Sequence, residues 1–216
     1  MKKAIGKLLI IGDSYSTFEG CVPDGYKVYY GNDERSVEFG VTSPEKTWWG
    51  IFKKESGAEL IENNSWSGSP VSYIGWNDVD CSKSSSFVYR LRELIKEDFA
   101  RIGKPDTLLI FGATNDSWIG TPLGEAKFSD ITEMDLRTVL PAISAIIGEA
   151  RAALPDTRII YMINTELKPE ITEHIKAASE HFGTEYIELS NIDKMSGHPT
   201  ALGMRRIAEQ LLEFLK

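Results

Sequence analysis

The chain has 216 residues, enough to bury a sizeable core in one domain over 1–216 without a disulfide or a metal. Its 42% hydrophobic and 26% charged content excludes a disordered or fibrous chain, and a net charge of −8 opposes phosphate backbones, so no nucleic-acid partner is expected. Cys21 and Cys81 form no disulfide framework, no apolar run approaches about 18 residues, and no cleavage pattern follows the short run at 8–11, which together predict a cytoplasmic protein with no membrane partner.

The elements alternate strand and helix along the chain. Residues 7–12 form a continuous apolar run, as in a strand buried on both faces. Ser43-Pro44-Glu45 opens a helix with Ser43 as N-cap; it carries Trp48, Trp49, Ile51 and Phe52 and stops near Gly57. Residues 58–62 read as the second strand. Over 86–99 an amphipathic helix puts Val88, Leu91, Leu94 and Ile95 on one stripe. Residues 107–111 form the third and most apolar strand. Thr132 with Asp135 makes a capping box for a helix reaching about 153, restarted or kinked at Pro141. Strands over 158–163 and 185–189 flank a helix over 169–182, where His174 and His181 read as solvated. A helix opened by Pro199 closes the chain over 199–215. This alternation predicts a three-layer α/β/α sandwich with a five-stranded parallel sheet; a flavodoxin-like order 2-1-3-4-5 is the arrangement expected for it. Two long irregular stretches, 15–42 and 65–85, are rich in Tyr and Trp, which argues for function rather than disorder.

Ligands of open α/β sheets bind outside the carboxyl ends of the strands. Four such ends here carry chemistry. Ser14 follows the first strand in Gly12-Asp13-Ser14, and Gly68 follows the second. Asn115 follows the third in Gly112-Ala113-Thr114-Asn115-Asp116, and His198 follows the fifth. A hydroxyl, a glycine, an amide and an imidazole are what acyl transfer needs: nucleophile, oxyanion donors and base. Each also has a plain structural use. Ser14 can cap a turn, Gly68 can serve one, Asn115-Asp116 can be an Asx-turn, and His198 can start a helix.

Their occurrence in this order resembles the SGNH/GDSL hydrolase family, whose blocks are Gly-Asp-Ser, a Gly, an Asn followed by Asp, and a His followed by Pro. The resemblance covers nearly the whole chain. It implies a serine esterase or acylhydrolase with Ser14 as nucleophile and His198 as general base. The backbone N–H groups of Ser14 and Gly68 and the amide of Asn115 would form the oxyanion hole. The chain departs from the family at Met195, where an Asp usually stands three residues before the His. The nearest carboxylate, Asp193, lies five residues before His198, a reach of roughly 16–18 Å if extended. Ser196-Gly197 can fold the segment back, making Asp193 the expected orienter of the ring. A main-chain carbonyl of Met195 or Ser196 is the other route. Asp13 and Asp116 read as acceptors that stabilise turns.

The expected reaction proceeds through an acyl-enzyme on a small-molecule ester, an O-acetyl group on a carbohydrate first, a short-chain lipid ester or thioester second. Trp66 and Trp118 would line the mouth of the site. Trp48 and Trp49 read as core. No cofactor is called for, and a metal held by Asp13, Asp116, Asp193 and His198 has no recognisable ligand spacing. The competing reading is a non-catalytic flavodoxin-like binding module, in which Ser14, Ser16 and Thr17 hold a phosphate. An inactive hydrolase that binds acylated sugars is a third.

Overall fold

The computed structural model describes residues 5–216. Five parallel strands, β1 (Lys7–Gly12), β2 (Glu59–Ser65), β3 (Thr107–Phe111), β4 (Arg158–Ile163) and β5 (Glu185–Glu188), form a sheet in the expected order β2-β1-β3-β4-β5. Alternation along each strand builds two cores. Leu9, Ile11, Leu108, Ile110, Ile159 and Tyr161 face one side and Leu8, Ile10, Leu109, Phe111, Ile160 and Met162 the other. The first face packs against α3 (Phe87–Glu93), α6 (Val139–Ala153) and α7 (Pro169–His181). The second packs against α2 (Trp48–Ser56) and α8 (Ala201–Phe214). Strands covered on both faces explain why their sequences are apolar throughout.

Several boundaries differ from the sequence reading, each for a local reason. Ser43 makes no side-chain cap; Pro44–Lys46 is a single 3₁₀ turn, and Thr47 caps α2 by accepting from the Gly50 N–H at 3.1 Å. The Thr132–Asp135 box forms, with Thr132 N–H donating to Asp135 at 2.8 Å, but it opens only the turn Asp135–Arg137. The long helix starts at Val139 and keeps Pro141 in its first turn, where no intrahelical donor is needed. Pro199 does not open α8. It lies in a two-stranded hairpin, β6 (Lys194–Met195) and β7 (His198–Pro199), and Thr200 is the N-cap. Beyond α3 the chain continues as a π turn, Leu94–Asp98, and α4 (Phe99–Ile102). The sequence reading missed two short helices, α1 (Glu34–Phe39) and α5 (Thr114–Ile119). His174 is buried rather than solvated, with Nε2 2.8 Å from the Ser144 hydroxyl. Among the described residues, no helix is long and apolar enough to cross a membrane.

Candidate functional site

The strand ends deliver their polar residues to one edge of the sheet. Ser14 opens a 3₁₀ turn, Ser14–Ser16, directly after β1. Asp13 caps that turn by accepting from the Tyr15 N–H at 3.1 Å. The loop beyond is pinned from outside: the indole N–H groups of Trp48 and Trp49 donate to the Ser16 hydroxyl and carbonyl at 3.1 and 2.8 Å. These two tryptophans are core residues, as expected, and also position the turn. The hydroxyls of Ser16 and Thr17 are committed inward, Thr17 accepting from the Tyr29 N–H at 2.8 Å. They are not presented as a phosphate cradle.

Ser14 and His198, 184 residues apart, meet with Oγ and Nε2 at 2.9 Å. The hairpin places the imidazole. Ser196 (φ 47) and Gly197 (φ 79) take the two left-handed corner positions of the tight turn, and Met195 pairs directly across from His198. His198 Nδ1 lies 3.2 Å from the Ser196 carbonyl, which can accept its N–H and so leave Nε2 to receive a proton from Ser14. Tyr29 stacks flat on the ring, with centroids 3.6 Å apart and planes 4° apart. The Arg35 guanidinium lies over Tyr29 at 4.4 Å. On other sides stand Tyr15 at 5.4 Å and Trp118 at 5.5 Å. Burial drives the His198 pKa down to about 4; the Ser196 carbonyl opposes the fall, and the charges of Arg35 and Lys194 add to it.

Asp193 is not brought to His198. Its carboxylate accepts from the Thr200 hydroxyl, and its carbonyl accepts the Thr200 N–H at 3.0 Å. The hairpin register is the reason. Extending the Lys194–Pro199 pair by one residue sets Asp193 opposite Thr200 and leaves His198 on the diagonal. The main-chain carbonyl of Ser196 occupies the place expected for that carboxylate.

The three groups expected to donate to an oxyanion are Gly68, Ser14 and Asn115. Gly68 has φ 81, a conformation other residues rarely adopt, and its N–H meets no acceptor among the described residues. The Ser14 N–H is free in the same sense. Asn115 sits in the first turn of α5, entered through Ala113, a non-glycine residue at φ 72. Such backbone strain costs about 1–3 kcal/mol and gathers at functional sites. The Asn115 amide donates to the Ser69 carbonyl at 3.0 Å and accepts from the Trp76 indole N–H at 3.0 Å. Asp116 accepts the N–H groups of Val71 and Ser72 at 2.8 and 3.0 Å, tying α5 to the loop that carries Gly68. Burial raises the carboxyl pKa of Asp13 to about 7 and also raises that of Asp116.

The sequence reading missed Arg90. It is fully buried on α3, and its guanidinium donates to the carbonyls of Gly12, Asn64 and Ser85 and to the Ser69 hydroxyl. It thereby ties the ends of β1 and β2 to the Gly68 loop. Burial lowers its pKa to about 10, so it stays charged at neutral pH. It lies one residue before Leu91 of the apolar helix stripe, and no local motif marks it.

Around the mouth, Trp76 and Trp118 are exposed, and Trp66 packs against Tyr26 with centroids 4.2 Å apart and planes tilted by 36°. A cavity of about 670 Å³ lies elsewhere, between Cys21, Trp49, Leu60 and Arg101, and contains none of Ser14, Asn115 or His198.

A doubly wound parallel sheet in this order, with a hydroxyl, an imidazole and several donors converging at its carboxyl edge, defines the class: an α/β/α hydrolase. The chain belongs to the GDSL-like lipase/acylhydrolase family, whose model matches residues 6–215, and it is an ester hydrolase. A protein of Bacteroides ovatus described as a GDSL-like lipase is 40% identical, with 96% of each chain covered and a TM-score of 0.88. A second, from Bacteroides uniformis, is 37% identical over 96% of this chain and 94% of that one, with a TM-score of 0.86. A family two carbohydrate esterase from Clostridium thermocellum shares the fold at 17% identity, with 97% of this chain and 63% of that one covered and a TM-score of 0.62. The search of curated proteins found no match.

Proposed function

We propose that the chain hydrolyses small O-acyl esters, acetyl groups on carbohydrates first among them, through an acyl-enzyme on Ser14. The observation that carries this reading is the 2.9 Å contact of Ser14 Oγ with His198 Nε2. His198 takes the Ser14 proton as Oγ attacks the ester carbonyl. The Ser14 and Gly68 backbone N–H groups and the Asn115 amide receive the oxyanion. His198 then returns the proton to the departing alcohol, and water releases the acid by the same steps reversed. The Ser196 carbonyl fixes the imidazole tautomer. It carries no full charge, so the imidazolium is stabilised by the carbonyl dipole and the Tyr29 face rather than by a carboxylate.

The carbohydrate preference is supported by the exposed indoles of Trp76 and Trp118 beside the site, since aromatic faces suit sugar rings. The family two carbohydrate esterases that share this fold lend it analogy only.

The test is turnover of p-nitrophenyl acetate, longer-chain p-nitrophenyl esters and an acetylated oligosaccharide. A fluorophosphonate probe should attach once, to Ser14, and Ser14→Ala should abolish both labelling and turnover. Labelling spread over Ser16, Ser65 and Ser67, or activity surviving in Ser14→Ala, would refute the assignment.

A further inference from the structure

We propose that Trp76 is a positioning residue of the ester-hydrolysing site: its indole N–H fixes the Asn115 side chain so that one amide N–H stays aimed at the oxyanion. The inference rests on the role proposed for Asn115 and extends it outward by one residue.

A side-chain amide can turn over by 180°, exchanging a donor for an acceptor. Here both neighbours are unambiguous. The Trp76 indole N–H can only donate, and it meets Asn115 Oδ1 at 3.0 Å. The Ser69 carbonyl can only accept, and it meets Asn115 Nδ2 at 3.0 Å. In the reversed orientation, oxygen would face oxygen and N–H would face N–H. With Oδ1 and one N–H committed, the second N–H of Nδ2 is held in the amide plane and meets no acceptor among the described residues. An oxyanion-hole donor works because it needs no reorganisation when charge develops. Trp76 therefore acts on the reaction through Asn115, without having to touch the reacting atoms. It also stands over the second donor: a Cβ built on Gly68 would lie 3.8 Å from the Trp76 ring.

The backbone supplies an independent observation. Asn77 (φ 58) and Asp78 (φ 59), the two residues directly after Trp76, both sit in the left-handed region without being glycine. The Gly75 N–H bonds the Val79 carbonyl at 2.8 Å and closes this tight loop, and the Cys81 N–H bonds the Tyr73 carbonyl at 2.9 Å below it. Asn and Asp enter this region more readily than other residues with a Cβ, and the pair sets the tight turn that presents Trp76. The arrangement leaves Trp76 46% exposed, so burial alone does not account for it. What the loop does gain is the hydrogen bond to Asn115.

The test is a double-mutant cycle with p-nitrophenyl acetate. Trp76→Phe keeps an aromatic ring and removes the donor. Because the side chain is half exposed, the variant should fold, which a melting curve checks. It should lower kcat about tenfold with KM nearly unchanged, the signature of an interaction made in the transition state. In the Asn115→Ala background the same substitution should have no further effect, because the group it positions is gone. A full additional loss in the double variant, a change confined to KM, or an unchanged kcat in Trp76→Phe alone would overturn the proposal. If Asn115→Ala itself leaves kcat unchanged, the oxyanion role of Asn115 fails and the role of Trp76 falls with it. If Asn115→Ala lowers kcat and only the Trp76 results disagree, the hydrolase reading stands and this inference alone is wrong.

Discussion

Replacing Asp193 by Asn separates the two ways of orienting His198. In a serine triad with a buried carboxylate on the imidazole, that change costs about 10⁴ in kcat, which at 1.36 kcal/mol per decade is roughly 5.5 kcal/mol. Here the carboxylate holds the Thr200 hydroxyl, and the ring nitrogen lies on the Ser196 carbonyl. Asn keeps an oxygen that can accept from Thr200, so the change weakens one hydrogen bond without removing it. Hydrogen bonds to charged groups contribute about 1.5–3 kcal/mol and neutral ones about 1 kcal/mol, so the expected loss is about 1 kcal/mol. It falls on the stability of the hairpin and the start of α8, where Thr200 also caps by accepting from the Gly203 N–H at 3.3 Å. For a chain of this size, about 1 kcal/mol lowers Tm by roughly 2–4 °C. The expected outcome is kcat reduced less than tenfold on p-nitrophenyl acetate, with Tm down by that amount. A fall of about 10³ or more in kcat at unchanged Tm would refute the reasoning and restore Asp193 as the orienting acid.

Two further outcomes follow from the same geometry. His198 acts as a base only when neutral, and burial lowers its pKa to about 4. So kcat/KM should stay level as pH falls through the ordinary histidine value of 6.5 and decline only near 4; an acid limb centred between about 6 and 7 contradicts this. Arg90→Met should destabilise the fold by about 3–5 kcal/mol in urea titration, because it removes every guanidinium bond to the Gly12, Asn64 and Ser85 carbonyls and the Ser69 hydroxyl. Arg90→Lys should recover only part, since one ammonium cannot span those acceptors, and a loss below about 1 kcal/mol in either variant would show that the network is dispensable.

How much of the site could be read in advance depended on how local each signal is. The apolar runs at 7–12, 107–111 and 158–163 marked strands buried on both faces, and their alternation with helices implied a parallel sheet covered on both sides, as found. Ser14, Gly68, Asn115 and His198 stood out because they follow strand ends that face one edge and occur in the order of the family's four blocks. Other features were hidden because they depend on pairing across the fold. Ser196-Gly197 announced a turn, but only the register of the hairpin decided that Asp193 meets Thr200. Nothing in the spacing of Tyr29, Trp76 or Arg90 linked them to residues up to 169 positions away, because a stack, an indole donor and a buried guanidinium leave no periodic trace. The amino-acid sequence alone was enough for the layers, the parallel sheet and the edge at which polar residues gather, since these follow from hydrophobic period and chain handedness. Tertiary structure decided which acceptor holds His198 and which donor holds Asn115, since a hydrogen bond requires atoms within about 3 Å, and only the packing of distant loops brings those atoms together.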